Sequence, residues 1–334
     1  MLFFLIAQSQ ASDTIGFSKV QVRKVRIVKM DGRKARPSGK VKVGGKTYLR
    51  YSLATASPYE NGFYVDRMYL ILKFVRGDLT VRFTTDVAPL TGLAGETAKK
   101  SAYTVYLKHA YVQWKAVESD KRSLNLRFGV IPTVWTGLEE RFWGHRFVEK
   151  STYDLAKLEY TADMGVSFTY RCKVLPWEIN AGIYNGNGYK ELESDPHKDV
   201  MGRISLYPTA LFGLNDLLGI HAFAHTTTEG LGFKDRYIGG LSLQTSPLTL
   251  MLTHAYYTTD YRTYAKGGSL FAVLRPFGES FGVFGRYDLL GDYTDRFAVV
   301  GLSARPQKHL RVALSYKWRE GTSPTVSLHT EAKF

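Results

Sequence analysis

The chain has 334 residues, 44% of them hydrophobic, a formal charge of +15 and one cysteine, Cys172. Its mean hydropathy is −0.19. No stretch reaches the ~20 consecutive apolar residues a spanning helix needs, so a helical membrane protein is excluded, and the lone cysteine excludes an intramolecular disulfide. A membrane β-barrel is not excluded, because its strands keep the apolar face on every second residue and average hydropathy stays low. The 14% aromatic content and 31 glycines fit such a barrel.

Residues 1–11 read as a hydrophobic segment closed by Ser9-Gln10-Ala11, a small-residue cleavage pattern without the usual basic start. They are expected to be a truncated signal peptide. Residues 12–45 are strongly basic and β-prone around Val20 to Lys29, with Asp31-Gly32 as a candidate turn. They are expected to form a basic N-terminal extension, a periplasmic hairpin or an arm within the lumen.

From residue 46 onward the pattern alternates with period two. In 79–87, Leu79, Val81, Phe83 and Val87 share one face, and Thr80, Arg82, Thr84 and Asp86 the other. A helix would mix these sets and a strand separates them. The same reading places strands near 46–55, 63–75, 78–87, 103–115, 123–131, 162–172, 176–184 and 198–207. Eight more follow near 217–226, 235–244, 247–257, 267–275, 280–288, 296–304, 309–318 and 324–334, and the pattern at 267–275 and 296–304 is less clean. The expected fold is therefore all-β: a transmembrane antiparallel barrel of about sixteen strands over 46–334, an even number as such barrels have. Short connections such as 76–78, 173–176 and 245–247 alternate with longer ones such as 88–102, 132–161 and 185–197, as turns and outer loops do. The last strand places Val326, Leu328, Ala332 and Phe334 on one face, and Ser327, His329, Glu331 and Lys333 on the other.

With the first strand rising, 132–161 is the third outer loop and the longest. Its Trp135, Phe142, Trp143 and Phe147 favour a loop folded into the pore over one in solvent. Its charges, Glu139, Glu140, Arg141, His145, Arg146 and Lys150, are the candidate constriction, where opposed charges set a transverse field that sorts ions; Glu149 stands among them. The competing reading is that these charges are solvated or pair locally. Arg50, Lys73, Arg82, Arg127, Arg171, Arg203, Arg286 and Arg311 recur on the polar faces, as does Lys317. A cation facing lipid at the bilayer midplane costs about 2–4 kcal/mol, so these are expected to point into the lumen and favour anions. Tyrosines and tryptophans near the strand ends, among them Tyr48, Tyr69, Tyr106, Trp114, Tyr207, Tyr237 and Tyr256, fit interfacial girdles or the lumen.

The run LNLRFGVIPTVWTGLEERFWGHRFVEKSTYD at 124–154 resembles the phosphate-selective porin family. So do Gly62-Phe63-Tyr64-Val65-Asp66-Arg67, Gly202-Arg203-Ile204-Ser205 and Gly285-Arg286-Tyr287-Asp288. These short matches are spread over most of 46–334. The resemblance implies a sixteen-stranded barrel, often a homotrimer, in the bacterial outer membrane, with a loop folded into the pore. A final strand closing on Phe334 resembles the signal read by barrel-assembly machinery. No dense arginine ladder or lysine cluster on one loop is visible, so the chain points to anion passage more than to phosphate alone.

The expected function is an outer-membrane porin that passes small hydrophilic, preferentially anionic solutes, with outer-membrane lipid as its surroundings and no catalysis. The alternatives are a barrel enzyme and a non-conducting anchor or adhesin. No Gly-x-Ser-x-Gly elbow or His-Glu-x-x-His pair is present. His221 and His225, on one strand face, stand about 13 Å apart at ~3.3 Å per residue, too far to share a zinc ion. No metal or cofactor is implied. Nucleic acid is not expected, since no recognition helix, zinc knuckle or RNP-type strand accompanies the charge.

Overall fold

The computed structural model describes residues 39–54, 61–89, 103–214, 217–229, 234–259 and 263–334. The signal-peptide reading and the basic segment up to residue 38 lie outside the described residues.

Sixteen strands form one closed antiparallel barrel in which each strand pairs with its sequence neighbours and the first pairs with the last. In chain order they are β1 (Lys40–Ala54), β2 (Gly62–Arg76), β3 (Leu79–Pro89), β4 (Tyr103–Glu118), β5 (Arg122–Pro132), β6 (Ala162–Cys172), β7 (Trp177–Tyr184) and β8 (Asp199–Leu206). Then come β9 (Leu218–Thr227), β10 (Arg236–Gln244), β11 (Leu248–Thr258), β12 (Tyr264–Leu274), β13 (Phe281–Leu290), β14 (Asp295–Gln307), β15 (Leu310–Arg319) and β16 (Thr325–Lys333). The all-β barrel expected from the alternation is the fold observed.

Alternation explains the two faces. Leu241, Leu252, Leu270, Leu302, Leu314 and Leu328 stand exposed on the outside, whereas Ser242, Thr253, Ser269, Ser315 and Ser327 are buried within. Closure leaves no unpaired edge, which a bilayer core would not tolerate. The exposed apolar belt is the surface such a core requires, and it makes this a membrane barrel. Trp114, Tyr237 and Tyr256 are exposed on that belt. Tyr48, Tyr69 and Tyr207 take the other of the two expected places and are buried on the lumen side.

Two features differ from expectation. β1 begins at Lys40 rather than 46, because Val41 and Val43 alternate with Lys40 and Lys42, a strand pattern hidden by the charge and by Gly44-Gly45. The short-long alternation of connections also breaks in places: 291–294 and 320–324 are short outer links, and 207–217, which contains a 3-10 turn, is a long inner one.

The seam between β1 and β16 carries the chain end. Gly45 N donates to Phe334 O at 3.0 Å and Phe334 N to Gly45 O at 3.2 Å. The Phe334 ring lies where a side chain at residue 45 would be, since a Cβ there would stand 2.1 Å from Phe334 Cζ. Glycine at 45 is thus what lets the final aromatic lie flat on the closing seam.

Two of the four register shifts among the described strand pairs bear on the lumen. One falls opposite Tyr48/Leu49 and leaves Asp66 outside the β1–β2 register; the other falls opposite Thr84/Thr85 and leaves Lys108 outside the β3–β4 register. A bulge adds one residue and re-aims its neighbours. Here each makes two consecutive residues face inward, Asp66 with Arg67 and Lys108 with His109.

Candidate functional site

The third outer loop, 133–161, enters the barrel. It holds α1 (Thr136–Trp143), which ends at Gly144 with φ 63°, and α2 (Thr152–Leu155). The left-handed Gly144 stops α1 with its own N–H on Glu140 O at 3.0 Å, and turns the chain back along the wall.

Apolar side chains seat the loop against the far wall. Trp135, Leu138, Phe142, Trp143, Phe147 and Tyr153 are buried with Phe223, Met251, Phe271, Phe284 and Val299 of the strands. Trp143 packs its ring 5.5 Å from Phe271 and 5.9 Å from Phe284, and Trp135 lies 5.6 Å from Phe223. Each such side chain contributes about 1.5–3 kcal/mol by leaving water, enough together to hold the loop.

Strand cations clamp the same loop through its backbone. Arg203 Nη1 donates to Val134 O at 2.8 Å, Arg311 Nη1 to Gly144 O at 2.9 Å and Lys317 Nζ to Val148 O at 2.7 Å; Arg286 Nη1 donates to Lys150 O. Lys317 also meets Glu149 at 2.8 Å. Burial works against ionisation of Glu149, but the charge and hydrogen bond of Lys317 outweigh it and draw the carboxyl down to about 2.

The six loop charges expected at the constriction separate into three groups. Glu139 and His145, each 1% exposed, lie in the seat rather than at the opening: α1 buries Glu139, and His145 follows the turn at Gly144. Glu139 accepts from Thr152 N at 2.7 Å, and burial, opposed by Arg286, pushes its carboxyl up to about 7. His145 is held between Trp143 O at 2.9 Å and Ser303 Oγ at 3.1 Å. Burial pushes its imidazole down to about 3, with the Arg311 charge adding to the effect. Arg141 reaches toward the inner end and donates to Tyr207 Oη at 3.0 Å; Lys150 gives its carbonyl to Arg286. Only Glu140 and Arg146 line the recess between loop and wall. Arg146 bonds Glu140 and meets Asp154 at 2.8 Å. Burial alone would raise the Asp154 carboxyl, yet Arg146 holds it below the usual range.

Facing them across the recess are Lys46, Tyr48, Tyr69, Arg82, Thr84, Lys108 and His109 from β1 to β4, around a volume of ≈ 120 Å³. Beside it, Arg67 donates to Asp86 at 2.8 Å and Tyr189 Oη, from the fourth outer loop, to the same carboxylate at 2.6 Å. Lys46, Arg67, Lys108, His109 and Asp154 were not among the residues expected at the pore. The signal for Lys108-His109 was present as two adjacent polar residues in an alternating strand, the mark of a bulge.

All eight strand cations expected in the lumen are on the inward face, but most are paired. Arg50 meets Asp66 at 3.1 Å, Arg171 meets Glu178 at 3.5 Å, Arg286 meets Asp288 at 3.1 Å, Arg311 meets Glu331 at 3.2 Å, and Arg203 bonds Glu178. Lys73, Arg82 and Arg127 form no ion pair among the described residues; Arg82 bonds Thr84 Oγ1 at 3.1 Å and Arg127 bonds Gln113 at 2.8 Å. Lys42 is directly opposite Lys73, and Lys73 directly opposite Arg82. Three like charges thus stand in one row across β1, β2 and β3, an arrangement that costs stability. Among the described residues, no helix is long and apolar enough to cross a membrane and no group of side chains could hold a metal ion.

No protein-family model matches the chain, and no curated protein matches it. Solved structures do. A mutant porin of Rh. blastica superposes with a TM-score of 0.58 at 12% identity, covering 89% of this chain and 100% of its own. A loop-deletion mutant of OmpT, an outer membrane protein of Vibrio cholerae, gives 0.56 at 11% identity, covering 89% of this chain and 99% of its own. At such identities the likeness is one of fold: a porin-like, sixteen-stranded barrel of the kind found in the bacterial outer membrane.

Proposed function

We propose that this chain is an outer-membrane porin through which small hydrophilic solutes diffuse passively, with anions preferred and phosphate-like ions among them. The observation that carries the reading is the row Lys42, Lys73 and Arg82, three registered lumen cations with no carboxylate partner among the described residues. On adjacent strands about 5 Å apart, such a row raises the local anion concentration and repels cations. Lys46 and Lys108 extend the same sign of charge into the recess, where Glu140 and Asp154 are already engaged by Arg146.

Passive passage suits the two β9 histidines better than catalysis does. His221 is buried between Ser205 and Ser242, both at 2.9 Å, and His225 between Glu159 at 2.7 Å and Asp199 at 3.0 Å. Neither lines the recess. Phe334 is exposed on the outer side of the closing seam, where assembly machinery could read it.

The test is single-channel recording in a planar bilayer under a potassium chloride gradient. Stepwise currents with a zero-current potential on the chloride side are expected. A folded, inserted barrel that passes no current would leave the anchor reading in its place, and a cation-side potential would overturn the charge argument.

A further inference from the structure

The recess between loop and wall contains polar atoms that nothing in the protein satisfies. Tyr69 Oη and His109 Nδ1 are both buried and have no hydrogen-bond partner, both residues are 6% exposed, and both line the same volume of ≈ 120 Å³. A buried polar atom left unpaired costs about 1–3 kcal/mol, so two at one spot mark a place that something else fills. The third group is Lys108. Its ammonium lies 5.0 Å from the Tyr69 ring centroid and 5.6 Å from that of Tyr189, and no carboxylate pairs with it among the described residues. Tyr69 donates through its hydroxyl, His109 donates when its proton is on Nδ1, and Lys108 supplies the charge.

Lys46, Arg82, Thr84, Glu140 and Arg146 also line the recess, but one flank is not what an inorganic ion asks for. Tyr48 and Ile71 give the recess an apolar flank. An inorganic oxoanion is polar on every side and would leave that flank dry. The recess, ≈ 120 Å³ and open to the lumen, has room for a body of a few carbon atoms. We propose that the recess is a subsite for a small organic carboxylate, whose carboxylate group is held by Tyr69, His109 and Lys108 and whose hydrocarbon part lies on Tyr48 and Ile71. This names a solute class for the pore and rests on the anion-passing reading above. Glu140 lines the same recess, but its bond to Arg146 engages it. The bulge in β4 is what makes the site possible, since without it Lys108 and His109 would face opposite sides of the wall.

The experiment records channel conductance of the full-length protein against concentration, in potassium butyrate, potassium phosphate and potassium chloride. A subsite shows as saturation. Butyrate conductance is expected to level off at a concentration several-fold below that of phosphate. Tyr69→Phe, which removes only the hydroxyl, should raise the half-saturating butyrate concentration by about tenfold, the effect of one hydrogen bond to a charged group. His109→Gln should shift it in the same direction, and chloride currents in each variant report that the barrel has inserted. Butyrate conductance that rises linearly, or phosphate that saturates as early as butyrate, would overturn the subsite. So would variants that conduct but leave the butyrate curve in place. The zero-current potential in a chloride gradient separates the two readings: cation preference sinks the anion-passing pore itself, whereas anion preference with linear butyrate conductance sinks the subsite alone.

Discussion

The two halves of the lumen use the same residue types for opposite ends. On the side of β8 to β15, Arg203, Arg286, Arg311 and Lys317 each donate to a loop carbonyl, and Phe223, Met251, Phe271 and Phe284 of the wall between them pack against the loop. On the side of β1 to β4, Lys42, Lys73 and Arg82 face one another, and Lys46 and Lys108 look onto the recess without an acid partner among the described residues. A lumen cation is therefore a clamp where the loop supplies an acceptor and a source of field where it does not. Position on the polar face does not separate the two roles; the presence of a seated loop does.

That contrast can be broken most strongly from the apolar side. Trp143→Ala removes a fully buried ring from the seat and should cost about 3–5 kcal/mol. The expected result is a larger and noisier single-channel conductance from a barrel that still inserts; a quiet, unchanged channel would show that the apolar seat does not hold the loop. Arg286→Met removes a clamp and leaves Asp288, which is buried, without its cation. The loss should be about 3 kcal/mol, visible as open-channel noise and a lower melting temperature, and adding Asp288→Leu should restore much of it.

Glu139 sharpens the comparison through pH. Its carboxyl lies near 7 in the folded loop against 4.5 when unperturbed, with burial as the main cause. A carboxyl raised in this way stabilises the seat fully below about 4.5, and that contribution is lost as pH rises through 7. Glu149 acts in reverse: its contribution is present above about 4.5 and lost as pH falls toward 2. Channel noise is therefore expected to grow from mildly acidic to mildly alkaline buffer, and Glu139→Gln should flatten that rise. A rise that persists in the variant would assign it to another group. The smallest effect belongs to the field side. Lys73→Gln relieves a like-charge contact worth about 0.2–1 kcal/mol, so stability should hold or increase slightly while the zero-current potential moves toward the cation side. An unmoved potential would remove the row from the selectivity argument.

The strands were legible because a period of two is written residue by residue, as in 79–87 and in the last strand, where Val326, Leu328 and Phe334 do face outward. The start of β1 was less so, since Lys40, Lys42 and Gly44-Gly45 read as a basic tail until the valines between them are seen to alternate. The pairings within the lumen depend on which strands close on which, so Arg203 with Glu178 or Lys317 with Glu149 could not be read from spacing. Arg286 and Asp288 are the exception, two apart on one strand face. For the loop, charge marked candidates but not orientation. Glu139 and Glu140 are neighbours in sequence, and α1 sends one into the seat and the other to the opening.

The bulge at Lys108 divides β4 into two stretches written in opposite phase. Above it the even-numbered residues, such as Tyr106, face the lumen; below it the odd-numbered ones, such as His109 and Tyr111, do. Deleting that one residue would close the ladder and leave both stretches in phase, with Leu107 still on lipid and His109 still on the lumen; the strand would lose an ammonium and keep its punctuation. A strand of this kind can change length at its bulges, where the added residue stands outside the ladder, and elsewhere only by turning its side chains over.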